Sequence, residues 1–134
     1  MLEKILCVDD DPITVMLCRK VIVKAEFAKE TDAAQNGEEA LQYFDNLLVD
    51  ENNGIPKLIL LDLNMPVMGG WEFLDNFSNG VYRSAFNDVK VIVLSSTIDP
   101  EDVEKAKKYA MVIDFVSKPI TIEMLTDIKR FFTT

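Results

Sequence analysis

Five short apolar runs, separated by amphipathic segments, constrain the fold of this chain more than any other feature. The runs are Ile5–Val8, a weaker one at Glu30–Ala34, Leu58–Leu61, Val89–Leu94 and Ile113–Val116. Four of them are continuous rather than alternating, which is typical of parallel strands buried on both faces of a sheet. The second run is more polar, so we expect it at an edge of the sheet.

The segments between these runs carry apolar residues at helical spacing. Pro12 stands at a position that suits the first residue of a helix. We expect five core-facing stripes: Ile13, Leu17 and Val21; Ala40, Leu41, Phe44 and Leu48; Trp71, Leu74 and Phe77; Val103, Ala106 and Ala110; and Ile122, Leu125, Ile128 and Phe132. Strands that alternate with helices predict an α/β fold, in which helices cover both faces of a doubly wound parallel sheet.

Two polar stretches, Asp50–Lys57 and Asn79–Asp88, fall where a predicted helix returns to a strand. Their Asn, Asp, Gly and Ser content indicates solvated loops, which we expect on the face opposite the functional residues. The chain has 134 residues, a length that suits one domain over residues 1–134.

The composition excludes several classes of function. The net charge is −9, from 14 basic and 23 acidic residues, so general nucleic-acid binding and docking on an anionic membrane are not expected. The chain has no His, which removes Ser-His-Asp triads and most zinc sites. Cys7 and Cys18 are expected to be buried and reduced. No secretory signal or run long enough to span a membrane is visible, which favours the cytoplasm.

Polar residues follow four of the predicted strands at the point where each strand ends. They are Asp9-Asp10-Asp11, Asp62, Ser95-Ser96-Thr97 and Lys118. In an open parallel sheet, ligands bind at the carboxyl ends of the strands. If the first and third strands are neighbours, three carboxylates converge there, flanked by a hydroxyl and an ammonium group.

Carboxylates packed this closely repel one another unless a cation relieves them, and Mg²⁺ takes such oxygen ligands. With no His or Cys near the site, the nucleophile would be a carboxylate that attacks phosphorus to form an acyl phosphate. We expect Asp62 to be this nucleophile and Asp9 and Asp10 to hold the metal. Lys118 would neutralise one phosphoryl oxygen, and Ser95 would donate a hydrogen bond to another.

Five motifs carry a resemblance to a known family. They are Ile5–Asp11, Asn36–Leu41, Leu60–Gly70, Val93–Ser96 and Phe115–Pro119. In this order and spacing, the chain resembles the receiver domains of two-component response regulators along essentially its whole length, in a single-domain form like the chemotaxis receivers. The resemblance implies a five-stranded, flavodoxin-like sheet with strand order 2-1-3-4-5.

The resemblance also implies a role for each matching residue. Asp62 would be the phosphoacceptor, and Mg²⁺ would be held by Asp9, Asp10, Asp62 and the backbone carbonyl of Asn64. Lys118, Ser95 and the backbone of Ser96 would stabilise the phosphoryl group, with Ser95 and Phe115 as the switch residues. Asn64 and Thr97 stand where the family tunes phosphoryl lifetime, and a cis peptide would precede Pro119.

Family function implies a phosphorelay role with protein partners. A histidine kinase or a histidine phosphotransfer protein would donate the phosphoryl group from phosphohistidine. The chain would catalyse its own aspartyl phosphorylation and dephosphorylation and would not be a metabolic enzyme. Phosphorylation would remodel the face formed by the fourth helix, fifth strand and fifth helix, which here includes Glu101–Lys108, Phe115 and Thr121–Phe131.

No effector domain follows Thr134, so we expect output through a downstream protein target rather than through direct DNA binding. A monomer is expected, and phosphorylation-dependent dimerisation through the same face is left open. Three positions depart from the family pattern: Gly69, where Asp is common, Met111-Val112, where a small residue is usual, and the long stretch Asn79–Asp88.

Other phosphate-handling classes fit less well. A haloacid-dehalogenase-type phosphatase needs a second Asp two residues after the nucleophile, where this chain has Asn64. A flavodoxin needs a phosphate-cradling loop where this chain has Asp9-Asp10-Asp11, and the Gly-rich loop of nucleotide hydrolases is absent from the sequence. The alternative that remains is a receiver-fold module that binds a partner constitutively, without phosphorylation.

Overall fold

One parallel sheet of five strands forms the centre of the protein. The computed structural model describes residues 1–50 and 54–132. The strands are β1 (Leu2–Val8), β2 (Ala28–Ala34), β3 (Leu58–Asp62), β4 (Lys90–Ser95) and β5 (Val112–Ser117). Their order in the sheet is β2-β1-β3-β4-β5, and all four pairings are parallel. The predicted fold class and strand order are confirmed.

Six helices occur in the described part of the chain, one more than the sequence predicts. They are α1 (Pro12–Lys24), α2 (Gly37–Val49), α3 (Gly70–Phe77), α4 (Gly80–Ala85), α5 (Pro100–Ala106) and α6 (Ile122–Lys129). The predicted fourth and fifth helices are therefore α5 and α6. No helix among the described residues combines the length and the apolar character that crossing a membrane requires.

Side-chain caps determine where four of the helices begin. Asp11, Asn36, Asp99 and Thr121 each accept a hydrogen bond from a backbone N–H two or three residues further on. These bonds satisfy N–H groups that have no partner within the helix. Pro12 occupies the start of α1, as predicted.

The sheet is buried at its centre and partly exposed at its edges. Every residue of β3 is buried, and β2, the polar strand, lies at one edge as predicted. The prediction that the fifth run is buried on both faces is wrong, because β5 forms the other edge. Among the described residues it pairs only with β4, and no residue of β5 is fully buried.

The predicted core-facing stripe of the first helix is wrong at Ile13 and Leu17, although Val21 packs partly buried against the core. Ile13 is 62% exposed and Leu17 is 45% exposed, whereas Val15, Cys18 and Ile22 are buried. Both sets have helical spacing, so periodicity in the sequence could not choose between them. The other stripes are confirmed at their centres and exposed at several ends, including Leu48, Ala110 and Ile122.

The stretch Asn79–Asp88 is not the solvated loop that its composition indicates. It contains α4 and then Phe86, a buried residue. The Phe86 ring lies 4.9 Å from that of Phe44 and 5.9 Å from that of Phe77, measured between centroids. Burial of an aromatic ring contributes enough free energy to hold the segment against the sheet. Part of the other predicted loop, Asp50–Lys57, lies outside the described residues.

Two hydrophobic layers pack on opposite faces of the sheet. The aromatic layer lies under α2, α3 and α4 and includes Phe44, Phe73, Phe77 and Phe86. The aliphatic layer lies under α1 and α6 and includes Val15, Ile22, Leu125 and Ile128, together with Cys7 and Cys18. Both cysteines are free and buried, as predicted.

Candidate functional site

The carboxyl ends of the central strands bring together the acids that the sequence predicts to converge. Strands β1 and β3 are neighbours, and Val8 is in register with Leu61. Asp9 and Asp62 are the next residues in the two strands, so they lie side by side at the carboxyl end of the sheet. Oxygen atoms from Asp9, Asp10 and Asp62 all lie within 4.8 Å of one another. We call these three residues the acid cluster.

The acid cluster is buried on one side and open on the other. Asp9 is 3% exposed and Asp62 is 7% exposed, whereas Asp10 is exposed. One Asp9 oxygen, Oδ1, accepts a hydrogen bond from the Asp11 backbone N–H at 2.9 Å. Carboxylate oxygens in this arrangement, reachable from solvent, are ligands that suit a hard divalent cation.

Lys118 joins the acid cluster from the end of β5. Its Nζ lies 2.7 Å from Asp9 Oδ2 and 3.4 Å from Asp62 Oδ1. Burial acts to lower the pKa of Lys118, but the hydrogen bond to Asp9 and the charge of Asp62 outweigh it, so the pKa is raised. The ammonium group is therefore held in its charged form. The peptide bond between Lys118 and Pro119 is cis, as the resemblance implies.

The electrostatics of Asp62 reflect its burial and the neighbouring Asp9 carboxylate. Burial, and then the charge of Asp9, raise the pKa of the Asp62 carboxyl above its ordinary value, although Lys118 opposes the shift. One ammonium group is thus insufficient to offset the desolvation and mutual repulsion of these carboxylates. A divalent cation would add positive charge and keep Asp62 ionised.

Strand β4 places a hydroxyl beside the cluster. Ser95 is buried at the end of β4, its carbonyl accepts from the Lys118 backbone N–H at 2.8 Å, and its Oγ accepts from the Thr97 backbone N–H at 3.3 Å. Ser96 and Thr97 are exposed in the following turn. The backbone thus ties the end of β4 directly to Lys118.

The remaining predicted residues lie at the margin of the site. Asn64 is exposed, and its backbone N–H points to Asp62 Oδ1 at 3.4 Å. Phe115 is half-buried on the edge strand β5 and is in register with Val93 rather than with Ser95. The structure therefore brings Asp9, Asp10, Asp62 and Lys118 into one group. Phe115 lies further from the carboxyl end of the sheet, where this group is found.

Gly70 has a role at the site that reasoning from the sequence missed. A Cβ atom at this position would lie 2.6 Å from the carbonyl oxygen of Asp62 and 2.9 Å from Cα of Leu63. The Gly70 backbone N–H donates to the Leu63 carbonyl at 3.0 Å. Only glycine allows α3 to begin this close to the backbone of Asp62. The pair Gly69-Gly70 in the sequence could have indicated this close approach of two backbone segments.

Trp71, the next residue, connects α3 to α5 rather than to the acid cluster. It packs partly buried against the aromatic layer, as expected for a helix residue that faces the sheet. Its ring stacks on Tyr109 at 6.0 Å between centroids, and Lys105 Nζ lies 4.6 Å from its centroid. The Tyr109 hydroxyl donates to Asp75 on α3. These contacts join residues far apart in the sequence, so no local pattern indicates them.

Comparison with known proteins points to one family throughout. The family model described as the response regulator receiver domain matches residues 5–130. The nitrate/nitrite response regulator protein NarL of Escherichia coli is 34% identical over 78% of this chain and 43% of its own length. The probable C4-dicarboxylate response regulator DctR of Halalkalibacterium halodurans is 27% identical over 92% of this chain and 48% of its own. This chain thus spans less than half the length of these two relatives.

The fold comparison agrees. The crystal structure of a two-component response regulator from Cytophaga hutchinsonii matches with a TM-score of 0.88 and 30% sequence identity, over 97% of this chain and 96% of that one. The family model covers nearly the whole chain, and the likeness of fold agrees with it. The chain belongs to the response regulator receiver domain family.

Proposed function

We propose that this protein is a phosphoacceptor switch of a two-component or phosphorelay system, in which Asp62 takes a phosphoryl group from phosphohistidine. The observation that carries the proposal is the buried Asp62 carboxylate beside Lys118, with ligand oxygens of Asp9 and Asp10 within 4.8 Å. A site of this kind holds a nucleophile and positive charge where a phosphoryl group would arrive.

The transfer requires little beyond positioning and charge neutralisation. A carboxylate oxygen of Asp62 attacks phosphorus, the new P–O bond forms, and the bond from phosphorus to the imidazole nitrogen of the donor breaks. Lys118, 3.4 Å from Asp62 Oδ1, neutralises one phosphoryl oxygen. The Ser95 hydroxyl and the Ser96 backbone N–H donate to others. Hydrolysis of the acyl phosphate by water returns the carboxylate.

Mg²⁺ is the cofactor we propose for this site. Asp9, Asp10, Asp62 and the backbone carbonyl of Asn64 would hold it, and it would neutralise the charge that the phosphoryl oxygens share with the carboxylates. The carboxylate oxygens of Asp9, Asp10 and Asp62, within 4.8 Å of one another, support this assignment, because Mg²⁺ binds oxygen ligands of this kind.

Phosphorylation would change the binding of a partner at the face formed by α5, β5 and α6. In this proposal Ser95 moves towards the phosphoryl group and Phe115 turns inward, which shifts a two-state equilibrium. The face includes Glu101–Lys108, Phe115 and Thr121–Phe131. Asn64 and Thr97, both exposed beside the site, would tune the lifetime of the phosphoryl group.

The proposed partners are a histidine kinase or histidine phosphotransfer protein as donor and a downstream protein as target. The net charge of −9 argues against direct nucleic-acid or membrane binding. We also propose a cytoplasmic location and a monomeric state. Dimerisation on phosphorylation is left open.

Phosphorylation by a small donor is the direct test. The protein is incubated with acetyl phosphate and Mg²⁺, and its intact mass is measured. We expect wild type to gain one phosphoryl group. Asp88→Asn, a control at the end of the sheet where the strands begin, should gain one as well. Asp62→Asn, or wild type with EDTA, should gain none. Equal labelling of Asp62→Asn would contradict the assignment of the nucleophile.

Ser95→Ala separates the chemistry from the switch. This variant should still take up the phosphoryl group, because Asp62, Asp9 and Lys118 remain, but phosphorylation should no longer change its amide NMR shifts in α5 and α6. A failure of wild type with acetyl phosphate and with a panel of phosphohistidine donors would favour the constitutive binding module instead.

A further inference from the structure

A cavity of about 520 Å³ lies at the end of the sheet where the strands begin, opposite the acid cluster. Its walls come from the end of α3, from α4, from the start of β4 and from the segment between α5 and β5. The volume falls within the range of about 300–1,000 Å³ that is usual for small-molecule sites. The phosphoacceptor chemistry at the other end of the sheet makes no use of it.

The charge of this cavity is its distinguishing feature. Three cations, Arg83, Lys90 and Lys108, contribute to the lining, and no carboxylate from residues 1–50 or 54–132 does. None of them forms an ion pair within the described part of the chain. We call the site the cationic cavity. In a protein with a net charge of −9, three uncompensated cations around one concavity form a site of positive potential.

Two other large cavities in the described part of the chain differ in this respect. The one beside α1 mixes Arg19 and Lys20 with Asp9, Asp10 and Glu39. The one beside α5 mixes Lys105 and Lys108 with Asp75, Glu101 and Glu104. Cations and carboxylates are mixed in those cavities, so size alone does not indicate an anion site there. Lys108 lies at the border of the cationic cavity and the cavity beside α5, and it contributes to the lining of both.

Carboxylates near the cationic cavity are turned to other partners or lie outside it. Asp75 accepts the hydrogen bond from the Tyr109 hydroxyl, and Glu104 pairs with Lys107 at 2.9 Å. Asp88 is exposed and lies between two lining residues in the sequence without belonging to the lining. The positive charge of Arg83 and Lys90 is therefore available to a ligand, and Lys108 adds to it from the border with the cavity beside α5.

Aromatic residues form the apolar part of the wall. Phe77 and Phe86 are buried and stack on each other, with 11° between their planes. Phe77 and Phe86 expose almost no surface, so the half-buried Tyr109 is the aromatic side chain that a ligand could contact among the described lining residues. A planar, apolar group could lie against this wall while an anionic group reaches the cations, and Arg and Lys bind phosphate oxygens well.

We propose that the cationic cavity binds a small phosphorylated molecule with an aromatic ring, of the nucleotide class, at a second site remote from Asp62. The match rests on three cations without a carboxylate, on an aromatic wall, and on a volume suited to a small ligand. Tyr109 stacks on Trp71, the single Trp of the chain. Ligand binding would therefore reach the contact between α3 and α5.

The test is binding of ATP, ADP and AMP to the full chain by isothermal titration calorimetry, with EDTA present so that no divalent ion links nucleotide to the acid cluster. Amide NMR shifts on titration show where each ligand lies. We expect shifts at residues 83–90 and 108–111 and none at Asp9 or Asp62. Pyrophosphate and adenosine serve as separate arms, and each should bind at least tenfold more weakly than ATP.

The variant Arg83→Gln/Lys108→Gln removes two cations and should weaken ATP binding about tenfold or more. Lys24→Gln, which changes an exposed lysine on α1 outside the lining, should leave it unchanged. No binding at millimolar ATP, equal binding by the double variant, or shifts centred on the acid cluster would each overturn the proposal. Equal affinity for pyrophosphate and ATP would overturn the nucleotide assignment, since it would indicate a simple anion site.

Discussion

The aromatic layer under α3 and α4 and the strip formed by α5 and β5 lie side by side, but they are packed very differently. Phe73, Leu74 and Phe77 of α3 are all buried. In α5, Ala106 alone is buried, and β5 has no fully buried residue. The free energy that resists movement is therefore large in the first region and small in the second.

This difference indicates where the molecule can change shape at low cost. Segments with few buried apolar contacts open with smaller free energies than the core does. The strip of α5 and β5 lies next to Ser95 and Lys118, so a change at the acid cluster reaches the loosely packed region first. The contacts of Trp71 with Lys105 and Tyr109 link the two regions and oppose such movement.

The largest expected effect is a difference in the free energy of unfolding between variants of the two regions. Phe77→Ala should lower the free energy of unfolding by about 3–5 kcal/mol, because it leaves a cavity in the aromatic layer. Val103→Ala on α5 should lower it by less than about 1 kcal/mol, since the side chain is already half-exposed. Urea denaturation followed by circular dichroism measures both. Similar losses in the two variants would mean that the regions are equally well packed.

A second prediction concerns the link between the regions. Trp71→Leu should cost about 1–2 kcal/mol, because it removes the stacking on Tyr109 and the cation–π contact with Lys105. Amide hydrogen exchange should become faster in residues 100–109 and stay unchanged in α2. Lys105→Met is the matched control, because it removes only the cation and should cost roughly 0.5–1 kcal/mol. Unchanged exchange near α5 in Trp71→Leu would show that Trp71 does not restrain this helix.

The smallest prediction is a pH dependence at the same link. Burial, and then the hydrogen bond to Asp75, raise the pKa of Tyr109 to about 12. A tyrosine pKa raised in the folded state contributes stability that is complete below its unfolded pKa of about 10, and the contribution is lost as pH rises towards 12. Tyr109→Phe should therefore be less stable than wild type below pH 10, by at most about 1 kcal/mol.

The two proteins should converge in stability between these two pH values. Thermal unfolding of both across this range checks the prediction, because Tyr43 and Tyr82 are common to them and cancel in the difference. A stability difference that persists at pH 12 would mean that the hydroxyl is not what stabilises the contact with Asp75.

Much of the site could be predicted because strand ends are visible in a sequence. The apolar runs end at Asp9, Asp62, Ser95 and Lys118, and a parallel sheet brings the carboxyl ends of its strands to one edge. The distances that give the site its chemistry could not be predicted. Whether Lys118 lies nearer to Asp9 or to Asp62, at 2.7 or 3.4 Å, depends on side-chain packing between strands distant in the sequence.

The sequence by itself determined the five strands, the five helices other than α4, and the identity of the acidic residues, because local apolar patterns and capping residues specify these features. Tertiary structure alone decided which face of α1 is buried, since Ile13 and Val15 lie on equally regular stripes and packing in the aliphatic layer selects the second. It also decided that α4 forms, where burial of Phe86 outweighs a polar composition. The cationic cavity likewise exists only because folding brings Arg83, Lys90 and Lys108 together from separate segments.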